Sequence, residues 1–380
     1  MDYMKQNKTK ILMIIPSFYP LVGGAERQLI GLLDKLAKTN FEVIVLTRKL
    51  SNTEDEEILN SARIIRMSNF KYPLGFLLKL SIWLIKNKLK YDIIHVHTLN
   101  SPAFLSSIIG KIVNKPVIIK VTRSSHNTPL SKYNNSFIGK FLFIVIKKLT
   151  TKFIAITTDV KNELVQSGVD IDNIISIPNG VEISKNKQTK INKKNKEFIY
   201  LGRLIERKRI DILIMAWNNA NMDSRASLKI IGTGKEKVKL EKICLDLGLQ
   251  NSITFTGEKK HSDIKKFLKY SDVIILPSSS EGMSNALLEG MSYGLIPIVS
   301  NIKANKDLVK DGQNGYLFNT TSELSELLNK IMLNSDEMNN EIRFKTIEII
   351  KNNFSFNYVM GCYIKLYGTL LKEYEIHNEK

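Results

Sequence analysis

Short apolar runs alternate with helix-spaced apolar positions almost from end to end of this chain, and that alternation most constrains its fold. A strand of four to seven apolar residues followed by a helix, repeated, is the pattern of parallel sheets built from βαβ units. The first series of strands reads at Lys10–Pro16, Glu42–Thr47, Arg63–Met67, Asp92–His95, Val117–Val121, Phe153–Ile156 and Ile174–Ile177. The second reads at Phe198–Gly202, Leu228–Gly232, Ile253–Thr256, Asp272–Pro277 and Ile296–Ser300. Between them, Lys185 to Lys196 is rich in Lys and Asn and lacks apolar periodicity, as a linker would. The expectation is an α/β protein of two doubly wound, Rossmann-like domains, 1–184 and 197–355, joined by 185–196. The two would face across a cleft lined by the carboxyl ends of their strands, where ligands bind in open α/β folds.

At 380 residues the chain is too long for one ordinary core and suits two. Hydrophobic residues make up 43%, yet no apolar run reaches the roughly 18 residues of a membrane span. Ile11 to Pro16 is too short for a secretory signal and reads as the first strand. Cys244 and Cys362, far apart and without metal-ligand spacing, argue against a disulfide framework or zinc site and suit a reducing cytosol. The net charge of +19 implies an anionic partner, and residues 1–180 hold 25 basic against 13 acidic residues. Part of that excess reflects the Lys-, Asn- and Ile-rich usage of the whole chain. No RNA or DNA motif or aromatic-interleaved basic patch accompanies it, so a nucleic-acid partner is not expected.

Chemistry gathers at the strand ends. In Pro277 to Gly294, a buried strand leads through a loop carrying Glu281 into a helix from about Ser284, whose side chain is placed to cap it. The unpaired amides of a first helical turn favour an anion, so a diphosphate suits this place. Glu281 would stand beside the phosphates, and Glu289 could accept hydrogen bonds from a ribose. Arg203 follows another strand, with Lys208 near the next helix start, and such cations stabilise the charge that builds on a leaving nucleoside diphosphate. Gly23-Gly24, after the first strand, would let a phosphate or sugar approach the backbone.

Other motifs carry less. Ile231-Gly-Thr-Gly-Lys235 lacks the third glycine and later acid of a dinucleotide fingerprint. Asp170-Ile-Asp172 reads as a surface loop rather than a metal motif. His95 and His97 share one side of a strand end and suit cleft lining or core hydrogen bonding better than metal ligation. Two segments, Tyr72–Lys90 and Phe137–Lys152, combine apolar residues with lysines only; Lys140, Lys147, Lys148 and Lys152 form a stripe that could rest on anionic lipid.

Together Gly23-Gly-Ala-Glu-Arg27, Ile177-Pro-Asn-Gly-Val-Glu182, Gly202-Arg203 with Lys208, and the Glu281 to Glu289 segment resemble glycosyltransferase family 4, from about Lys10 to the last helix. The resemblance implies the GT-B fold and a retaining, metal-independent transfer from a nucleotide sugar, with no other cofactor. It implies that Arg203 and Lys208 bind the diphosphate, Glu281 sits by the transferred sugar and Glu289 holds the ribose. Gly282, Met283, Ser284 and Asn285 would contact the donor through backbone amides, and the last helix, about 356–380, would return to the N-terminal domain. A UDP-sugar donor, a lipid-linked glycan acceptor and a role in bacterial capsule, O-antigen or similar polysaccharide assembly follow as expectations. A nucleotide-sugar 2-epimerase shares the architecture but lacks this set of four residues. Two departures stand out. Thr122 occupies a place where the family often has histidine, so either His126 or Arg123 substitutes or this subfamily does not use the histidine, and the acceptor-side group stays unassigned; Arg209 stands where glycine is usual.

Overall fold

A computed structural model describes residues 8–21, 23–68, 73–122, 133, 136–184 and 195–378. Arg123, His126 and most of the expected linker lie outside them. The chain divides into two compact units, Met1–Gly180 with Phe356–Lys380, and Val181–Ser355. Val181 to Ser184 thus go with the second unit, where the Val181 amide donates to the Phe354 carbonyl at 2.8 Å.

The first unit runs β1 (Thr9–Ile14), α1 (Gly24–Leu36), β2 (Phe41–Arg48), β3 (Glu56–Leu59), β4 (Ala62–Met67), α2 (Pro73–Lys86), β5 (Ile93–Val96), α3 (Ser101–Ile112), β6 (Val117–Val121), α4 (Phe137–Leu149), β7 (Lys152–Ala155), α5 (Thr158–Gln166) and β8 (Ile174–Ser176). Its sheet has the order β3-β4-β2-β1-β5-β6-β7-β8. Every described pairing is parallel except β3 with β4. The near-continuous burial of these strands is what a parallel sheet covered on both faces requires. The edge strand β3 is not legible in the sequence, because Glu56-Glu-Ile-Leu59 alternates exposed and half-buried positions and offers no apolar run.

The second unit runs β9 (Lys196–Leu201), α6 (Ile210–Asn219), β10 (Ala226–Ile231), α7 (Lys237–Asp246), β11 (Ile253–Gly257), α8 (His261–Tyr270), β12 (Val273–Leu276), α9 (Asn285–Ser292), β13 (Ile296–Ser300), α10 (Lys303–Lys306), β14 (Tyr316–Phe318), α11 (Thr321–Leu333) and α12 (Asp336–Ile349). The sheet order β11-β10-β9-β12-β13-β14 is the doubly wound arrangement, with its reversal between β9 and β12. Asp272, at the foot of β12, accepts from the Glu197 amide at 2.8 Å and from Arg343 of α12 at 3.0 Å in a buried ion pair. The two central strands are thereby clamped at their amino ends. Lys196, expected in the linker, is the first residue of β9.

The chain then returns. Helix α13 (Phe356–Asn378) places Val359, Met360, Tyr363, Leu366, Tyr367 and Leu370 in the first unit's core, against the buried Leu29, Leu32, Leu33 and Leu36 stripe of α1 and the inward residues of β1, β2 and β5. Helices α1 and α13 therefore cover one face of the first sheet. The right-handed crossovers that advance from β4 to β5, β6 and β7 put α2, α3 and α4 on the other.

Candidate functional site

Strands β9 and β12 pair only at Ile199 with Ile274 and at Phe198 with Val273, although both continue toward their carboxyl ends. Beyond those pairs they splay, and the topological switch point of the second unit opens there. The loop after β9 is held by close backbone approach. A Cβ on Gly232, at φ +140°, would stand 1.9 Å from the Gly202 carbonyl oxygen, so no side chain fits. The Gly202 and Leu204 amides donate to Ile231 and Thr233 carbonyls at 3.0 and 2.9 Å. Gly232-Thr-Gly234 is thus a steric device fixing the Arg203 loop. Arg203 itself is exposed beyond the strand and makes no ion pair with a described residue, while its carbonyl accepts from the Tyr200 hydroxyl at 3.0 Å.

Lys208 closes a short 3-10 turn, Glu206–Lys208, and α6 starts two residues later, at Ile210. Between them Arg209 adopts φ +49°, ψ +42°. That left-handed conformation explains why glycine suits this place, since a side chain there costs about 1–2 kcal/mol. The turn aims Lys208 at Glu281: the ammonium donates to the carboxylate, with 11% and 9% of the two side chains exposed. Arg207 joins them, 3.4 Å from the other Glu281 oxygen, and also donates to the Ser280 carbonyl. The Ser279 amide in turn donates to the Arg207 carbonyl at 2.9 Å. In the sequence Arg207 is one of a run of surface cations, because adjacency to Lys208 says nothing of which way a turn residue points. Burial pushes the Glu281 carboxyl upward, but the charge and hydrogen bond of Lys208, with Arg207, outweigh it and hold it below the ordinary value.

Three residues on, the Ser284 hydroxyl caps α9, accepting from the Leu287 amide at 3.3 Å. Gly282 and Met283 lead into this cap, and Asn285 is the first helical residue. Gly290 lets the helix lie close on β12, where a Cβ would meet the Ile274 side chain at 2.6 Å. Glu289, half-buried beside it, bears on Tyr293, whose hydroxyl is pushed up first by burial and further by the Glu289 charge. Lys208, Glu281 and the capped loop are therefore assembled at one splayed strand end, with Arg203 at the end of the neighbouring strand. The cations and the helix start form a set able to receive a diphosphate, while the Glu281 and Glu289 carboxylates can accept hydrogen bonds from hydroxyl groups beside it.

Gly23 and Gly24 belong to the first unit, where Gly23 is the N-cap of α1; a Cβ there would stand 2.6 Å from Glu26, which also accepts from Ser17 at 2.8 Å. His95 and His97 are buried, their rings stacked at 4.2 Å, and His95 Nδ1 is 2.8 Å from the Tyr367 hydroxyl of α13. They are core residues. Burial, helped by the nearby Lys120 charge, lowers His95 to about 3. Asp170 caps a surface 3-10 turn, accepting from the Asp172 amide at 3.0 Å, as a loop reading implies. No group of three or more His, Cys, Asp or Glu able to hold a metal occurs among the described residues.

Two family models match nearly the whole chain: "Glycosyltransferase Family 4" over residues 22–185 and "Glycosyl transferases group 1" over 182–348. An Escherichia coli UDP-Gal:alpha-D-GlcNAc-diphosphoundecaprenol alpha-1,3-galactosyltransferase is 26% identical over 94% of this chain and 95% of its own. The capsular polysaccharide biosynthesis glycosyltransferase CapH of Staphylococcus aureus is 27% identical over 81% and 84%. Anabaena Alr3699/HepE, solved in complex with UDP, superposes with a TM-score of 0.78 at 18% identity, covering 95% of this chain and all of that one. The architecture is GT-B, and the chain belongs to glycosyltransferase family 4.

Proposed function

We propose that this glycosyltransferase moves a sugar from a UDP-sugar onto a growing, lipid-linked glycan, retaining the donor's anomeric configuration and using no metal. The carrying observation is the Lys208–Glu281 pair, joined by Arg207, at the splayed end of β9 and β12 beside the Ser284-capped helix. In this reading Arg203 and Lys208 stabilise the departing diphosphate, the work that metals do elsewhere. Glu281 lies by the transferred sugar and Glu289 holds the ribose. Loop amides from Gly282 to Asn285 bind the donor.

Support for the donor comes from the UDP complex of HepE and from the E. coli relative, whose name specifies UDP-galactose and a diphosphoundecaprenol acceptor. CapH, named for capsular polysaccharide biosynthesis, supports a setting in surface polysaccharide assembly. The test is incubation with radiolabelled UDP-galactose, UDP-glucose and UDP-N-acetylglucosamine, a diphosphate-lipid-linked acceptor and EDTA. One donor should give a glycolipid product whose linkage, read by proton NMR, matches the donor's anomer. An inverted linkage, or activity lost on chelation and restored by Mg²⁺ or Mn²⁺, refutes the mechanism; epimerised nucleotide sugar without product refutes the reaction.

A further inference from the structure

On the first sheet's second face, α3 packs between α2 and α4. Each of the three helices buries an apolar stripe: Phe76, Leu80 and Leu84 on α2, Ala103 and Ile109 on α3, Phe143 and Ile146 on α4. That stripe suffices to seat a helix on a sheet. Yet α2 and α4 present a second apolar stripe to solvent. On α2, Leu78, Ile82 and Ile85 follow one another at helical spacing, and Leu78 is 61% exposed. On α4, Phe137, Ile138, Phe141 and Ile144 do the same, Phe137 at 90% and Phe141 at 61%. Ile112 extends the surface from α3. Isolated exposed apolar residues are ordinary, but a row of them on adjacent helices marks a contact surface.

Its charge is one-sided. None of the three helices contains Asp or Glu, while Lys79, Lys86, Lys111, Lys140, Lys147 and Lys148 all lie on them. From Ser101 to Thr150 the sequence has eight basic residues and no acidic one. By contrast α11 and α12 of the second unit mix both signs. Lys147 turns inward, donating to the Ser167 carbonyl at 3.2 Å, so Lys140 and Lys148 are the outward cations of α4.

We propose that this face rests on an anionic lipid bilayer, with the phenylalanine and isoleucine side chains entering the headgroup boundary and the lysines meeting lipid phosphates. A second copy of the chain is disfavoured as occupant, because two such lysine-bearing faces repel and neither offers a carboxylate. Nucleic acid would satisfy the lysines but leave the apolar row in water. No helix among the described residues is long and apolar enough to cross a membrane, so the contact is peripheral. The inference stands independently of the transfer reading.

The test is co-sedimentation of the full chain with vesicles of phosphatidylcholine alone, or with about a third phosphatidylglycerol. Binding should be at least about tenfold stronger to the anionic vesicles and fall with added salt. Phe141→Ser with Ile144→Ser, and separately Lys86→Ser, Lys140→Ser and Lys148→Ser, should each lose most of it. All these positions are exposed, and circular dichroism with calorimetric UDP titration checks that fold and donor site persist. Equal binding to both vesicle types, no loss in the Phe141/Ile144 variant, or a salt-sensitive dimer in sedimentation velocity without vesicle binding would overturn the proposal.

Discussion

The two units place the same kind of switch point between their central strands and finish it in opposite ways. In the first, β1 and β5 stay paired to their last residues, Ile14 with Val96, and the His97 amide continues the ladder to the Ile14 carbonyl at 2.9 Å. Around that closed end lie His95, His97 and Lys120, with Tyr363 and Tyr367 of α13 laid over them; the Lys120 ammonium is 5.9 Å from the Tyr363 ring centre. In the second, β9 and β12 diverge soon after the clamp between Asp272 and Glu197, and the opening holds Lys208, Arg207 and Glu281. Topology makes a crevice available in both. Whether it becomes a charged site or a filled core depends on how far the ladder runs and on which side chains close over it.

The sharpest way to break this contrast is Lys208→Ala at the open end. It removes a charge-assisted partner and strands a buried carboxylate, so transfer should nearly vanish and UDP affinity fall by about 1.5–3 kcal/mol in calorimetric titration. Arg203→Ala should weaken UDP by a similar amount without disturbing Glu281. Unchanged affinity in both variants would remove them from the donor site. The pair also sets a pH dependence. Because the Glu281 carboxyl is held below 4.5 in the folded chain, its stabilising contribution is complete above that value and disappears as pH falls through the lower one.

At the closed end the sign is reversed. Burial brings the Lys120 ammonium down to about 8 from 10.5, so the unfolded chain binds more protons and stability should rise with pH between those values. Lys120→Met should be more stable at neutral pH by up to about 3 kcal/mol and lose that rise. Urea unfolding from pH 7 to 9 reads it directly, since the Cys244 thiol, raised by burial, opposes the trend only above its ordinary value of 9, and Tyr363 and Tyr367, likewise raised, only above 10. A wild-type midpoint that is flat or falling across this interval would mean that Lys120 is not held neutral by its surroundings.

The smallest effect is expected at Arg209. Arg209→Gly relieves the left-handed backbone at the cost of unfolded-chain entropy, and should stabilise by about 1 kcal/mol or less. The ion pair it forfeits, Arg209 to Asp211 at 3.7 Å, is exposed and worth little. A lower melting temperature in this variant would show that the guanidinium has a role the backbone does not reveal.

Sequence alone determined the βα alternation, because burial on both faces of a parallel sheet writes largely apolar runs such as Val117–Val121, interrupted by Lys120, and Ile296–Ser300, whose limits agree with β6 and β13. It also determined the Ser284 cap, since capping is a property of residue types at short spacing. Three things were decided only by tertiary structure. Arg207 joined the site because a 3-10 turn rotated it toward Ser280 and Glu281. His95 and His97 became core because α13, distant in the chain, covered them. The outward apolar rows of α2 and α4 emerged because each helix had more apolar positions than its sheet could hide, and only packing decides which of them remain in water.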